Sequence, residues 1–149
     1  VIEGGVIMAV GEAGVIFRSA DDGESWDTID SPYSGSLFGV SGTNDKNVAL
    51  VFGLRGNVFR SEDAGDSWAD IETNTESSLM SSAKNRDGKF SIMGTSGSIL
   101  LSQDDGKSFT ETIRGDRLGN ASAVYIRSAQ VVMVGESGVH VTTPDGLNL

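Results

Sequence analysis

Ser19-Ala20-Asp21-Asp22-Gly23-Glu24-Ser25-Trp26 is an eight-residue phrase that the chain repeats. It returns as Ser61-Glu62-Asp63-Ala64-Gly65-Asp66-Ser67-Trp68 and, with phenylalanine in place of tryptophan, as Ser102-Gln103-Asp104-Asp105-Gly106-Lys107-Ser108-Phe109. A shorter copy, Thr143-Pro144-Asp145-Gly146, stands near the end. The anchoring aspartates at 21, 63, 104 and 145 set periods of 42, 41 and 41 residues. Between them the apolar residues come in short bursts cut off by Gly, Asp, Ser and Asn, without the three-four spacing of helices. Short strands and tight turns follow.

An internal period of about 40 to 45 residues built from strands predicts an all-β chain of β-propeller blades, each a four-stranded antiparallel sheet. With strand A innermost and D outermost, the chain begins late in a blade. Val6 to Val10 is a B strand, Val15 to Arg18 a C strand and Trp26 to Ile29 a D strand. The next blade is complete, with Leu37 to Ser41, Val48 to Phe52, Asn57 to Arg60 and Trp68 to Ile71. A second complete blade holds Leu79 to Ser82, Phe90 to Met93, Ser98 to Leu101 and Phe109 to Ile113. The last holds Ala123 to Arg127, Val131 to Val134 and Val139 to Thr142, and Leu147 to Leu149 are too few for a D strand. The organisation is a partial blade over 1–30, blades over 31–72 and 73–114, and a partial blade over 115–149. About 3.5 blades are present, half of a seven-bladed ring by strand count.

Runs such as Val6-Ile7-Met8-Ala9-Val10 and Val131-Val132-Met133-Val134 are apolar on both faces, as strands between neighbouring sheets must be. Each B strand ends in G-x-x-G, at Gly11 to Gly14, Gly53 to Gly56, Gly94 to Gly97 and Gly135 to Gly138, which predicts two-residue hairpin turns with positive φ. The phrase-opening Ser or Thr stands five positions after the second glycine in all four copies. In the phrase itself, Ser19, Asp21, Ser61, Asp63, Ser102 and Asp104 are expected to bond the backbone of a C-to-D turn. Gly23, Gly65 and Gly106 take its left-handed position, and Trp26, Trp68 and Phe109 pack between blades.

Composition narrows the function classes. Eleven basic against 21 acidic residues leave a net charge of -10, which argues against nucleic acid as partner, since phosphate binding rests on clustered Lys and Arg. The absence of cysteine excludes disulfides, thiol nucleophiles and zinc-thiolate sites. No apolar run approaches the roughly 18 residues that insertion into a bilayer requires.

The phrase resembles the Asp-box, or BNR, repeat of sialidases, some glycoside hydrolases and sorting receptors. With Gly14-Val15-Ile16-Phe17-Arg18 and Gly56-Asn57-Val58-Phe59-Arg60 preceding it, the chain is similar to the photosystem II stability/assembly factor-like propellers. That resemblance implies a non-enzymatic, seven-bladed scaffold, exported to a lumen or periplasm, that binds protein during membrane-protein assembly. Arginines contribute to the binding surface of that family; here Arg18 and Arg60 share a repeat position that Leu101 and Thr142 occupy in the later copies.

Catalytic alternatives have little to stand on. A sialidase needs an arginine cluster, a Tyr–Glu nucleophile pair and an acid/base Asp, yet the seven arginines, at 18, 55, 60, 86, 114, 117 and 127, scatter over faces and layers. The competing reading is therefore a fragment of an Asp-box glycoside hydrolase or sialidase whose catalytic residues lie mostly outside these 149. The acidic phrases lack the alternating ligands and distal Glu of a calcium loop. His140, the single histidine, falls where earlier copies have Ile16, Val58 and Ile99, and reads as a tolerated core or edge residue. No catalytic, metal or cofactor residue is assigned. The irregular D-to-A loops, on the face opposite the phrase, supply partner-binding candidates, with Tyr33, Arg114 and Arg117 in them and Arg55 in a B-to-C turn. The expected partners are proteins, membrane proteins among them. The ring would be completed either by a missing N-terminal half or by a second copy.

Overall fold

The computed structural model describes residues 5–147, in fourteen strands that form four antiparallel sheets. The first sheet is β1 (Ile7–Val10), β2 (Ile16–Ser19) and β3 (Asp27–Ile29). The second is β4 (Leu37–Gly42), β5 (Ala49–Gly53), β6 (Val58–Ser61) and β7 (Ala69–Asp70). The third is β8 (Leu79–Lys84), β9 (Phe90–Gly94), β10 (Ser98–Ser102) and β11 (Thr110–Ile113). The fourth is β12 (Asn120–Arg127), β13 (Gln130–Gly135) and β14 (Gly138–Thr142). Every sheet is a meander in chain order, so B-to-C and D-to-A connections share one face and A-to-B and C-to-D connections the other. The inner strands β4, β8 and β12 pack in succession, which lays the sheets side by side around an axis. The Leu147 to Leu149 segment falls largely outside the described residues.

The core is divided into three seams, and period-two alternation divides it. Along β5, Ala49 and Val51 point into the seam with the first sheet, while Leu50 and Phe52 point into the seam with the third. The first seam adds Met8, Ile16, Leu37 and Phe59. The second adds Val58, Leu79, Phe90, Ile92, Leu100 and Phe109, and the third holds Ala83, Met93, Ile99, Val131 and Met133. The outer strands β3, β7 and β11 are short, which leaves little unpaired edge for another chain to add to.

The repeated phrase closes the C-to-D hairpin. In the second sheet Ser61 Oγ donates to Asp63 Oδ1 at 2.8 Å and accepts from the Gly65 amide at 2.8 Å. Asp63 in turn accepts from the Ser67 amide at 2.8 Å and the Ser67 hydroxyl at 2.6 Å. The same four bonds recur at Ser19–Ser25 and Ser102–Ser108. The glycine is pressed onto the preceding sheet: a Cβ on Gly65 would lie 2.6 Å from Met8 Cε, and one on Gly106 2.5 Å from Leu50 Cδ1. Trp68 accordingly packs in the first seam, and Phe109 meets Phe90 edge-on at 6.5 Å in the second. Trp26 departs from the expectation. It is 45% exposed, because no described sheet precedes its own, and its indole N–H bonds Gly23 O at 3.2 Å.

The hydroxyl and amide donors hold the carboxylates of Asp21 and Asp63 down to about 2, led by the Ser25 and Ser67 hydroxyls. At Asp104 partial burial pushes upward, but the Ser108 and Ser102 hydroxyls and two amides outweigh it and the value is again about 2. A carboxylate depressed in the folded state stabilises above its unfolded value and loses that contribution as pH falls through the folded one. Thermal melts are expected to hold steady down to about pH 4 and then fall progressively toward about pH 2. A D21N/D63N/D104N variant is expected to start lower and lose less over that window. An equal acid-induced drop in both proteins would count against this role of the phrase.

Two sequence expectations need correction. The G-x-x-G turns are not two-residue hairpins in the first three sheets; each is a one-turn 3₁₀ segment, Glu12–Gly14, Leu54–Gly56 and Thr95–Gly97. The first glycine there is extended and the positive φ falls on Ala13, Arg55 and Ser96 together with the second glycine. The fourth turn is a true two-residue hairpin, with Gly135 paired to Gly138, and this moves the register by one residue. Ile16, Val58 and Ile99 pair with the residue just before the first glycine, Val10, Phe52 and Met93. His140, two residues after Gly138 like them, pairs instead with Met133, and Val139 and Val141 pair with Val134 and Val132. A one-residue slip exchanges the two faces. His140 is thus turned to the Met133 side, with Nε2 2.7 Å from Ser137 O, while Val139 and Val141 point outward, 71% and 49% exposed.

Candidate partner-binding face

The face opposite the phrase is made from B-to-C turns over which the D-to-A loops are laid. The chain is tied down as it enters each inner strand: Leu37 N donates to Gly11 O at 3.0 Å, and the turn amides of Leu54, Thr95 and Glu136 donate to Ser36, Ser78 and Gly119 carbonyls at 2.9–3.1 Å. The fit admits no side chain at the second glycine of the first three turns. A Cβ on Gly14 would lie 1.8 Å from Tyr33 O, and one on Gly56 2.0 Å from Thr75 O. The loops carrying the candidates are therefore positioned by the scaffold beneath them.

Tyr33 is half-buried, its ring 5.9 Å from that of Phe59, so it serves the first seam as well as the surface. Arg55 stands exposed at the left-handed position of its turn, φ 59°. Arg117 is also exposed and left-handed, φ 54°, with its amide donating to Arg114 O at 3.0 Å. Arg114 behaves differently from a surface arginine: it is 7% exposed, donating to Asn120 Oδ1 at 3.0 Å and to Asp116 Oδ2 at 2.5 Å. The Leu118 amide and the charge of Arg114 hold the Asp116 carboxyl below its usual range. Arg114 is thus a brace of its own loop. Arg114 and Arg117 both lie over Gly97, whose added Cβ would stand 3.2 Å from Arg114 Cβ and 2.9 Å from Arg117 Cα; Tyr33 belongs to the loop between the first and second sheets, and Arg55 to the second sheet's own turn.

Sequence reading missed a cationic cleft on the opposite face. It measures about 620 Å³ and is lined by Lys84, Arg86, Asp87, Tyr125 and Arg127, from β8, β12 and the A-to-B turn of the third sheet. These residues belong to two repeats and to no shared motif, so nothing in the linear sequence unites them. Among the described residues no cluster of His, Asp or Glu is arranged to hold a metal ion, and no helix is long and apolar enough to cross a membrane.

Neither a protein-family model nor a curated protein matches the sequence. Solved structures match the fold. YCF48 bound to a D1 peptide aligns with a TM-score of 0.69 and 15% identity over 97% of this chain and 48% of that one. A GH74 enzyme from Niastella koreensis aligns with a TM-score of 0.70 and 26% identity, over 93% of this chain and 21% of its own. The computationally designed Ika4 protein aligns with a TM-score of 0.69 and 11% identity, over 95% and 87%. The chain is an arc of β-propeller blades. It spans about half the length of the YCF48 chain it matches. The repeated phrase lies on one face and the irregular D-to-A loops on the other, and the neighbours include both a peptide-bound protein and a GH74 enzyme.

Proposed function

We propose that this propeller is a non-enzymatic scaffold that binds protein segments, membrane-protein partners among them, through the D-to-A and B-to-C face. The observation that carries the reading is the contrast between the faces: rigidly repeated hairpins on one side, and on the other three unlike loops fixed by glycine-tight contacts, with Arg55 and Arg117 exposed and outside any ion pair among the described residues. Rigid loops of variable sequence are where recognition concentrates, and exposed Arg is among the residues enriched at interface anchors. The structural neighbour with a bound D1 peptide supports the same direction. An Asp-box scaffold exported to a periplasm or lumen, in a ring completed by further blades from a longer chain or from a second copy, is the full form of the proposal.

The test is retention of peptides from extracytoplasmic segments of membrane proteins on the immobilised chain, compared with an R55E/R117E variant. Both side chains are exposed, so folding is expected to be unchanged while binding falls by tenfold or more, about 1.4 kcal/mol. Equal retention by the two proteins, or no sequence-dependent retention by either, would overturn the assignment.

A further inference from the structure

The function proposed above makes no use of the cationic cleft. It opens where the inner strands β8 and β12 end, on the face of the repeated phrase, with one wall from the third sheet and one from the fourth. Lys84, Arg86 and Arg127 set three positive charges around it against the single carboxylate of Asp87, in a chain of net charge -10. Arg86 and Arg127 are exposed and stand outside any ion pair among the described residues. A concave site lined by one sign of charge concentrates ions of the other.

The backbone beneath these charges is fixed from both walls. Lys84 and Tyr125 stand one repeat of 41 residues apart, and their strand partners Phe90 and Val131 are spaced identically. Each reaches back to the preceding sheet: Lys84 Nζ donates to Thr43 O at 2.7 Å, and the Tyr125 hydroxyl lies 2.6 Å from Ser91 Oγ. Tyrosine thus takes the bridging position that lysine fills one seam earlier. Strand β8 ends there, whereas β12 runs on through a bulge to Arg127, paired with Gln130. The extension brings Arg127 to the cleft that Arg86 also lines. The turn under Arg86 is held by Asn85, 8% exposed, whose Oδ1 accepts from the Asp87 and Lys89 amides at 2.9 Å. Asn85 Nδ2 in turn donates to Ser128 O in the facing wall at 3.5 Å. Walls joined in this way need little ordering when something binds between them.

The lining selects the ligand chemistry. Guanidinium forks match the paired oxygens of phosphate and carboxylate, and Lys84 keeps ammonium hydrogens beyond the one given to Thr43. Tyr125 and Ile126 add apolar wall, and about 620 Å³ is room for an organic molecule rather than a bare ion. A long polyanion does not suit the surroundings. The acidic phrases share this face, with Asp63 and Asp66 in one and Asp104 and Asp105 in the next, and would repel whatever extends past the cleft.

We propose that the cleft binds a small organic molecule bearing two or more oxyanion groups, phosphate or carboxylate, gripped by Arg86 and Arg127 with Lys84 as the third charge. The site lies on the face opposite Arg55 and Arg117, so it stands or falls independently of the partner-binding surface. Isothermal titration with inorganic pyrophosphate and with citrate, at constant ionic strength in chloride, is expected to show saturable binding of one molecule per chain. R86Q/R127Q is expected to weaken that binding about tenfold or more, and R55E/R117E to leave it unchanged. Tighter binding of pyrophosphate marks a phosphate ester as the ligand and tighter binding of citrate a polycarboxylate; either outcome supports the site. Saturation by neither anion, equal affinity in R86Q/R127Q, or binding of an oligoglutamate peptide in place of both would overturn it. Should R86Q/R127Q fail to fold, amide chemical shifts of the unmodified protein decide: anion-induced changes centred on residues 84–87 and 125–128 support the site, and changes centred elsewhere overturn it.

Discussion

Phe52→Ala is expected to cost about 3 to 5 kcal/mol of folding stability, the range for deleting a buried phenylalanine. The ring is 1% exposed and central to the second seam, and it fills the space that Gly39 leaves open: a Cβ there would lie 2.2 Å from Phe52 Cζ. With no side chain at 39 to move inward, the cavity stays open, so the cost belongs at the upper end of the range. A repeat array transmits such damage to its neighbours through the shared seam. Urea unfolding of Phe52→Ala beside Phe38→Ala, whose side chain is 40% exposed on the adjacent strand, measures the contrast. The second variant is expected within about 0.5 kcal/mol of wild type. Similar losses in both would remove the case for a packed second seam.

Gly56→Ala is expected to cost about 2 to 5 kcal/mol, the sum of a left-handed backbone penalty of about 1 to 2 and an overpacking penalty of about 1 to 3. The residue has φ +73° and its Cβ would lie 2.0 Å from Thr75 O, a backbone atom that cannot turn aside. Gly138→Ala separates the two causes, because φ there is +91° with nothing within 4 Å, so the backbone penalty acts alone. Equal destabilisation of the two variants would show that the D-to-A loop yields easily and does not hold a fixed shape. Because that loop carries the binding face, Gly56→Ala is also expected to weaken any partner that engages it.

Fourteen strands were legible because most are apolar bursts bounded by glycine or by the phrase, the short outer strands β3, β7 and β11 follow the phrase directly, and both markers recur at nearly constant spacing. The slipped hairpin was not, since Thr143 stands five positions after Gly138 just as Ser19 stands five after Gly14. A signal did exist in the phase of alternation: Gly138-Val-His-Val puts its apolar residues one and three places after the glycine, where the other copies have Ile16, Val58 and Ile99 at two. Arg114 shows a different blindness. In Arg114-Gly115-Asp116-Arg117 both arginines look like solvated loop residues, yet Asp116 and Asn120 fold back on the first and leave the second exposed. Local sequence records which charges are near, and the loop's path decides which of them meet. The cationic cleft depends on two separate inner strands converging, which no single stretch encodes.

Consecutive residues of β5 serve different seams, Ala49 and Val51 one and Leu50 and Phe52 the other, and this bears on how such a chain can be rebuilt by recombination. A cassette of one hydrogen-bonded sheet, moved into a foreign array, breaks complementarity on both sides at once. A cassette of 41 or 42 residues copied in tandem carries both halves of a seam wherever its breakpoints fall, and every junction it makes is one the sequence has already solved. The inheritable module of this protein is the joint between sheets, and duplication is the operation that conserves it.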